Sequence, residues 1–246
     1  MRVFDAEYLE SACDGKWANG QPADPVTGFC YDTRSLRTGD LFVAIKTTSR
    51  DGHDFLNDAL EKGAVGALCE GFRASSPLPQ LIVEDSIAAF GSIAARYRRE
   101  WDFPVIAITG SCGKTTVKDL LSLLLGGPPI ARATSGNLNN LIGVPATLLS
   151  LDEDGCRYAI VEAGISEPGE MAKLAEVIQP DTVVYTAIGP AHLECLRDVD
   201  TIAFEKGKLS DAGLAQRAYL GPTWKPFCEQ VFGGVGFLIE EGEPAN

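Results

Sequence analysis

The sequence predicts an α/β protein in two parts. A small mixed α/β unit comes first, and a doubly wound, mainly parallel sheet around a phosphate-binding loop follows. Three observations predict it. Residues 104–116 read PVIAITGSCGKTT, and Val105-Ile106-Ala107-Ile108 is an unbroken apolar run of the kind that forms a buried parallel strand. Beyond that point strand-like and helix-like segments alternate, the rhythm of a parallel sheet with crossover helices. Before it the apolar runs are shorter, and Trp101-Asp102-Phe103-Pro104 marks a seam between one unit over residues 1–102 and another over 103–246.

Taken in order, Asp5 caps a short helix running to Ala12, with Tyr8 and Leu9 facing inward. Residues 27–46 read as two short strands around a turn at Arg37-Thr38-Gly39-Asp40. After the loop TTSRDGHD, residues 55–62 form a helix that Gly63 ends. Residues 64–69 and 80–83 are further strands. Asp85 caps a helix in which Ile87, Phe90, Ala94, Tyr97 and Trp101 recur at helical spacing, an aromatic stripe that belongs to a core. In the second unit the strands fall at 105–109, 129–133, 157–163 and 181–187. The helices between them fall at 114–125, 139–150 and 168–178, with Pro168 in the first turn of the last. A helix over 200–210 and a strand over Arg217–Leu220 follow. Gly233-Gly234 and Glu240-Glu241-Gly242-Glu243 read as loop and frayed end.

Composition narrows the classes. With 45% hydrophobic and 22% charged residues the 246-residue chain is that of a soluble globular protein with a sizeable core. A net charge of −13 argues against a nucleic-acid or anionic-membrane surface, which would need a basic face. No apolar run has the length of a membrane span, and the start, MRVFDAEYLE, carries acids where a signal peptide has its apolar core. The 7 cysteines are odd in number and scattered without a C-x-x-C pair, which predicts reduced thiols and a cytoplasmic location. Cys112, inside the glycine-rich loop, reads as a tolerated filler.

That loop carries the chemistry. A buried strand, a glycine-rich turn and a helix N-terminus bring backbone N–H groups together at the positive end of the helix dipole. Thr109, Gly110, Ser111, Cys112 and Gly113 would wrap a phosphate, Lys114 would add a full charge, and Thr115, followed by Thr116, would offer a hydroxyl to a phosphate-bound Mg²⁺. Ile108 stands where the usual P-loop has its first glycine, so this is a shortened form. Three polar groups fall where strand ends should meet the loop: Glu162 after YAIV, His192 in GPAHLE, and Lys206 in FEKGKL. Their plain readings are a solvated acid, a loop histidine and a surface lysine. Asn137, Asn139 and Asn140 cluster before a helix, either as turn formers or as amides suited to a peptide or nucleotide.

The ordered blocks DTRSLRTGDLFVAIKTTSRDGHDF, TGSCGKTT, SGNLNNLIGVPATLL, VEAGISEPGEMAKLAEVIQPD, AIGPAHLE and AFEKGK resemble the Mur ligases of bacterial cell-wall synthesis over residues 31–208. GNLNN-x-IGVP and GPAHLE favour the member that joins D-alanyl-D-alanine to UDP-N-acetylmuramoyl-tripeptide over the one that adds the third amino acid. The resemblance implies transfer of the ATP γ-phosphoryl group to a peptide carboxylate, followed by attack of an amine on the acyl phosphate. It implies ATP on residues 109–116, with Lys114 at the β/γ-phosphates. It implies magnesium on Thr115, Glu162 and His192, with Lys206 completing that set as a carbamate formed with CO₂. Lys114, Lys206 and His192 are then the catalytic residues. Asp32, Thr33 and Arg34 would meet the uridine nucleotide, and Thr134, Asn137 and Asn139 the sugar-peptide.

Departures are expected too. The family's third, C-terminal domain would not fit before Asn246 and could come from a separate chain. The Asn/Asp-rich segment that meets the adenine end of ATP is replaced by Leu220-Gly221-Pro222-Thr223-Trp224-Lys225, and Lys208 stands where an acid is usual. The expectation is therefore an ATP-dependent amide ligase of peptidoglycan precursor synthesis, weak as this chain alone. Its rivals are a fragment, half of a split enzyme, a truncated nucleotide- or UDP-substrate-binding homologue, the ligase for another amino acid of the series, and a small-molecule kinase.

Overall fold

The computed structural model describes residues 2–151, 154–211 and 215–232. The chain divides at Arg99 and Glu100 into two compact units, with residues 148–151 grouping with the first. The glycine and glutamate blocks of the tail lie outside the described residues.

In the first unit helix α1 (Ala6–Cys13) begins where Asp5 accepts the Tyr8 N–H at 2.7 Å. It leads through β1 (Lys16–Ala18), β2 (Gly28–Cys30) and β3 (Asp40–Val43) to α2 (Leu56–Glu61), and then to β4 (Gly66–Cys69), β5 (Gln80–Ile82) and α3 (Ser86–Arg98). The sheet order is β1-β5-β4-β3-β2, parallel except that β1 runs against β5. Two expectations are corrected here. β2 and β3 are parallel, paired Gly28 with Asp40, so residues 31–39 are a crossover and not a hairpin turn. Asp40 sits inside β3, where its carboxylate accepts the Arg37 N–H at 2.8 Å and closes that crossover. β1, only three residues long and flanked by polar sequence, gave no periodic signal. The core packs Phe42, Leu56, Ala59, Ala67, Cys69 and Leu78 between sheet and helix.

The second unit is a five-stranded, wholly parallel sheet. Along the chain come β6 (Val105–Thr109), α4 (Lys114–Leu124), β7 (Ala131–Ala133), α5 (Gly143–Ser150), β8 (Tyr158–Glu162) and α6 (Glu170–Ile178). Then follow β9 (Thr182–Tyr185), α7 (Leu193–Leu196), α8 (Val199–Gly207), β10 (Arg217–Leu220) and α9 (Cys228–Phe232). The order is β10-β9-β6-β8-β7, so β6 is central and its neighbours are β8 and β9. The chain leaves β6 toward β7 on one side and leaves β8 toward β9 on the other. That opens a crevice at the carboxyl ends of β6 and β8, where α/β sheets bind ligands. Val117, Leu121 and Leu125 lay one face of α4 on Ile108, Ala131 and Ile160.

Helix boundaries differ from expectation where loops take over. α5 starts at Gly143 because the Asn140 carboxamide oxygen accepts the Ile142 and Gly143 N–H groups at 3.2 and 2.8 Å. α6 starts at Glu170, after Gly169 with φ 84°, so Pro168 precedes the helix. α7 is a single turn too short to show a period. Residues 222–227 form a 3₁₀ helix that buries Trp224 against Tyr185. Among the described residues no helix is long and apolar enough to cross a membrane.

Candidate nucleotide site

The cradle follows from β6. The strand ends at Thr109, Gly110 takes φ 149°, and Gly113 at φ 83° precedes the first residue of α4, Lys114. A Cβ on Gly110 would overlap the Thr186 hydroxyl, so glycine is required by space as well as by backbone. That hydroxyl donates to the Cys112 carbonyl at 2.7 Å, which fixes the loop against the end of β9. Ser111 makes a second tie. Its backbone N–H donates to Ala187 O at 2.7 Å, and its hydroxyl donates to Gly189 O at 2.7 Å and accepts the Gly189 N–H at 3.1 Å. The loop that carries His192 is thereby bound to the phosphate loop. The Lys114 ammonium donates to Gly110 O at 3.0 Å, folded over the turn it would cover with a phosphate.

Glu162, the last residue of β8, is buried at 1% exposure. Thr115 Oγ1 donates to its Oε2 at 2.9 Å, and Asn139 Nδ2 donates to its Oε1 at 2.8 Å. Its N–H donates to Thr134 Oγ1 at 3.0 Å. It forms no ion pair among the described residues. A buried carboxylate held only by neutral donors is expensive unless a cation joins it.

Lys206, on α8, is buried at 2% exposure, which corrects its plain reading as a surface lysine. It forms no hydrogen bond or ion pair among the described residues. Burial first, and the neighbouring Lys114 charge second, lower its pKa to about 8. Next to it in sequence, Glu205 accepts the Gly169 N–H at 2.8 Å and pairs with Lys208 at 2.6 Å, tying α8 to the start of α6. The lysine at 208 is thus taken up by a local ion pair.

Lys114 and Lys206 face one cleft of about 300 Å³, which Glu162, Thr115 and Gly113 do not line. Gly110, Ser111, Lys114, Asn139, His192 and Lys206 of the expected residues line it. The others lie elsewhere. Asn137 is exposed and off the lining, Thr134 is buried behind Glu162, and Thr109 is buried under the turn. Thr116 and Cys112 are exposed outside the lining. Asp32, Thr33 and Arg34 belong to the first unit, where Asp32 accepts the Arg34 guanidinium and the Arg34 N–H. That guanidinium holds the Asp32 carboxyl down at about 2. Lys62 donates to Thr33 O at 2.7 Å. Sequence reasoning missed Gly164, Ile165, Ser166, Glu170 and Ala191 as lining, although the first three closely follow the parallel strand β8, where such residues belong. Glu170 accepts the Ser166 and Glu167 N–H groups at 2.7 and 3.0 Å and so shapes that loop.

The donor set also bears on metal binding. Among the described residues no three or more His, Cys, Asp or Glu side chains gather as a metal site. One threonine hydroxyl and one unpaired buried carboxylate beside a phosphate loop do suit Mg²⁺. That ion takes few protein ligands and completes its shell with water and phosphate.

Comparison with known proteins agrees with this geometry. The Mur ligase family catalytic domain matches residues 25–98, and the Mur ligase middle domain matches residues 108–219. UDP-N-acetylmuramoyl-tripeptide–D-alanyl-D-alanine ligase of Synechocystis is 37% identical over 85% of this chain and 46% of its own. The enzyme of that name from Escherichia coli is 40% identical over 72% of this chain and 39% of its own. A crystal structure of MurF from Acinetobacter baumannii superposes with a TM-score of 0.86, at 29% identity, over 94% of this chain and 52% of its own. MurF ligase from Thermotoga maritima, solved in complex with ADP, superposes with a TM-score of 0.72 at 30% identity over 83% and 48%. The chain spans about half the length of the relatives it matches. With one domain match falling on each of the two units, the chain belongs to the Mur ligase family.

Proposed function

We propose that the chain provides the nucleotide-binding and UDP-substrate-binding parts of an ATP-dependent ligase of peptidoglycan precursor synthesis. The ligase joins D-alanyl-D-alanine to UDP-N-acetylmuramoyl-tripeptide through an acyl phosphate. The observation that carries this reading is the buried Glu162, held by Thr115 at the start of α4 and by Asn139 of the cleft that Lys114 and Lys206 also line.

In this reading residues 109–116 enclose the triphosphate, and the Lys114 ammonium swings from Gly110 O onto the β/γ-phosphates. Thr115 and Glu162 would hold Mg²⁺, with His192 nearby; the ion offsets charge on the transferring phosphoryl group, which is most of what such transfer requires. Asn139 keeps Glu162 oriented. Lys206, with its pKa near 8, is a better nucleophile toward CO₂ than an ordinary lysine, which supports a carbamate at that position. As an ammonium it would instead face the acyl-phosphate oxygens. Residues 1–102 would take the uridine nucleotide, with Asp32, Thr33 and Arg34 at its contact. Among the described residues no disulfide joins the 7 cysteines, which suits the reducing cytoplasm where such precursors are made.

Calorimetric titration tests the reading. Mg-ATP and UDP-N-acetylmuramoyl-tripeptide should each bind, and Lys114→Ala should weaken ATP by roughly 100-fold, the worth of one strong charge-assisted bond. ATP binding unchanged in that variant would overturn the site assignment. Binding of the UDP-substrate without ATP would favour the substrate-binding homologue.

A further inference from the structure

Lys118 lies one turn beyond Lys114 on α4 and is 3% exposed, yet it lines no part of the cleft. A buried ammonium costs free energy unless it is paired and hydrogen-bonded. Its charge partner, Asp119 Oδ1, lies 3.2 Å away and is 68% exposed, so that pair faces solvent. Inward, the ammonium donates to the Thr134 carbonyl at 2.8 Å.

Thr134 is a junction. Its N–H donates to Ile160 O at 2.9 Å, and its hydroxyl accepts the Glu162 N–H at 3.0 Å. It opens the segment 134–140, whose Asn139 donates to Glu162 Oε1 and accepts the Gly164 N–H at 2.8 Å. Thr115, on the same helix as Lys118, holds the other oxygen of Glu162.

We propose that Lys118 is a positioning residue. Its buried ammonium pins the start of the 134–140 segment to α4, so that Asn139 and Glu162 keep their register with Lys114 and Thr115. The consequence for ligand binding rests on the nucleotide reading above; the pinning itself does not. Methionine at 118 fills the same space and leaves the Thr134 carbonyl without its donor. Partners one step removed from a metal ligand commonly change metal affinity by about 10–100-fold.

Two measurements on the full chain test it, with thermal melting of each variant as the control for folding. The first is amide hydrogen exchange without ligand. Lys118→Met should speed exchange at Thr134, Leu138 and Asn139 by about ten-fold, with the amides of α4 and of Tyr158, Ala159, Ile160 and Val161 in β8 unchanged. Unchanged exchange in that segment overturns the proposal. The second is Mg²⁺ titration at fixed ATP. Lys118→Met should raise the Mg²⁺ midpoint by about ten-fold while metal-free ATP affinity stays within about two-fold, and this effect should vanish in an Asn139→Ala background. Equal losses in both backgrounds overturn it. A wild-type chain that binds no ATP refutes the nucleotide reading, and the exchange result then decides Lys118 alone.

Discussion

Lys206 shows how one residue's surroundings change its chemistry. Its pKa falls from 10.5 to about 8, chiefly because burial penalises the charged form and secondly because Lys114 repels it. The neutral amine is the form the fold favours. Its stability cost is absent above pH 10.5, grows as pH falls toward 8, and is complete below that. Reaction with cyanate, which needs the neutral amine, should therefore reach half its maximal rate at Lys206 near pH 8, followed by peptide mass spectrometry. A Lys206 midpoint near the ordinary lysine value of 10.5 would remove the argument for its special reactivity. His53 makes a complementary point. The sequence DGHDF reads only as a turn, yet His53 is buried, with Nδ1 2.5 Å from Asp51 and Nε2 accepting the Glu70 N–H at 2.8 Å. Neither burial is visible in sequence, because both come from strands and helices that arrive from elsewhere in the chain.

At the scale of elements, the strand–turn–helix at 105–124 was the most legible stretch. An apolar run, glycines and an amphipathic helix all demand the same local geometry there. The two glycines are not equivalent. Gly110 has both a positive φ and a crowded Cβ position, while Gly113 has φ 83° with its nearest neighbour at 3.8 Å. Gly110→Ala should cost roughly 3 kcal/mol in a denaturation experiment and abolish ATP binding. Gly113→Ala should cost roughly 1–2 kcal/mol, from backbone strain alone. Equal losses would mean that the Thr186 contact does not shape the loop. What sequence could not supply was direction. The parallel pairing of β2 and β3 is a long-range choice, and a nine-residue gap with turn residues fits a hairpin equally well. Lys206 was legible by resemblance and not by pattern, since FEKGKL places a lysine on an unremarkable helix.

Across the whole molecule, the free thiols sort by burial. Cys112 and Cys195 are exposed, whereas Cys30, Cys69 and Cys156 are buried and Cys13 and Cys228 intermediate. Burial raises the pKa of Cys13 to about 11 and of Cys69 to about 12, so both are poor nucleophiles at neutral pH. A thiol-disulfide reagent should label two cysteines of the native chain quickly, and Mg-ATP should protect Cys112 while leaving Cys195 reactive. Loss of protection at Cys112 alone would place the nucleotide outside the loop. The fold class was legible from the alternation of elements. The lining contributed by Ile165 and Ser166 was not, because loop residues carry no period.

The central position of β6 has a consequence in time. Ile106 pairs with Ile160 on one side and with Thr182 on the other, and neither partner is its neighbour in sequence. At translation rates of about 5–20 residues per second, the second partner emerges roughly 4–15 s after β6 itself. For that interval the most apolar strand of the unit has an open edge, and the cleft has no His192 at its rim. Closure of these non-local pairs is slow by topology. Nascent chains should be most prone to aggregate between the emergence of β6 and that of β9, the window in which a chaperone would matter most.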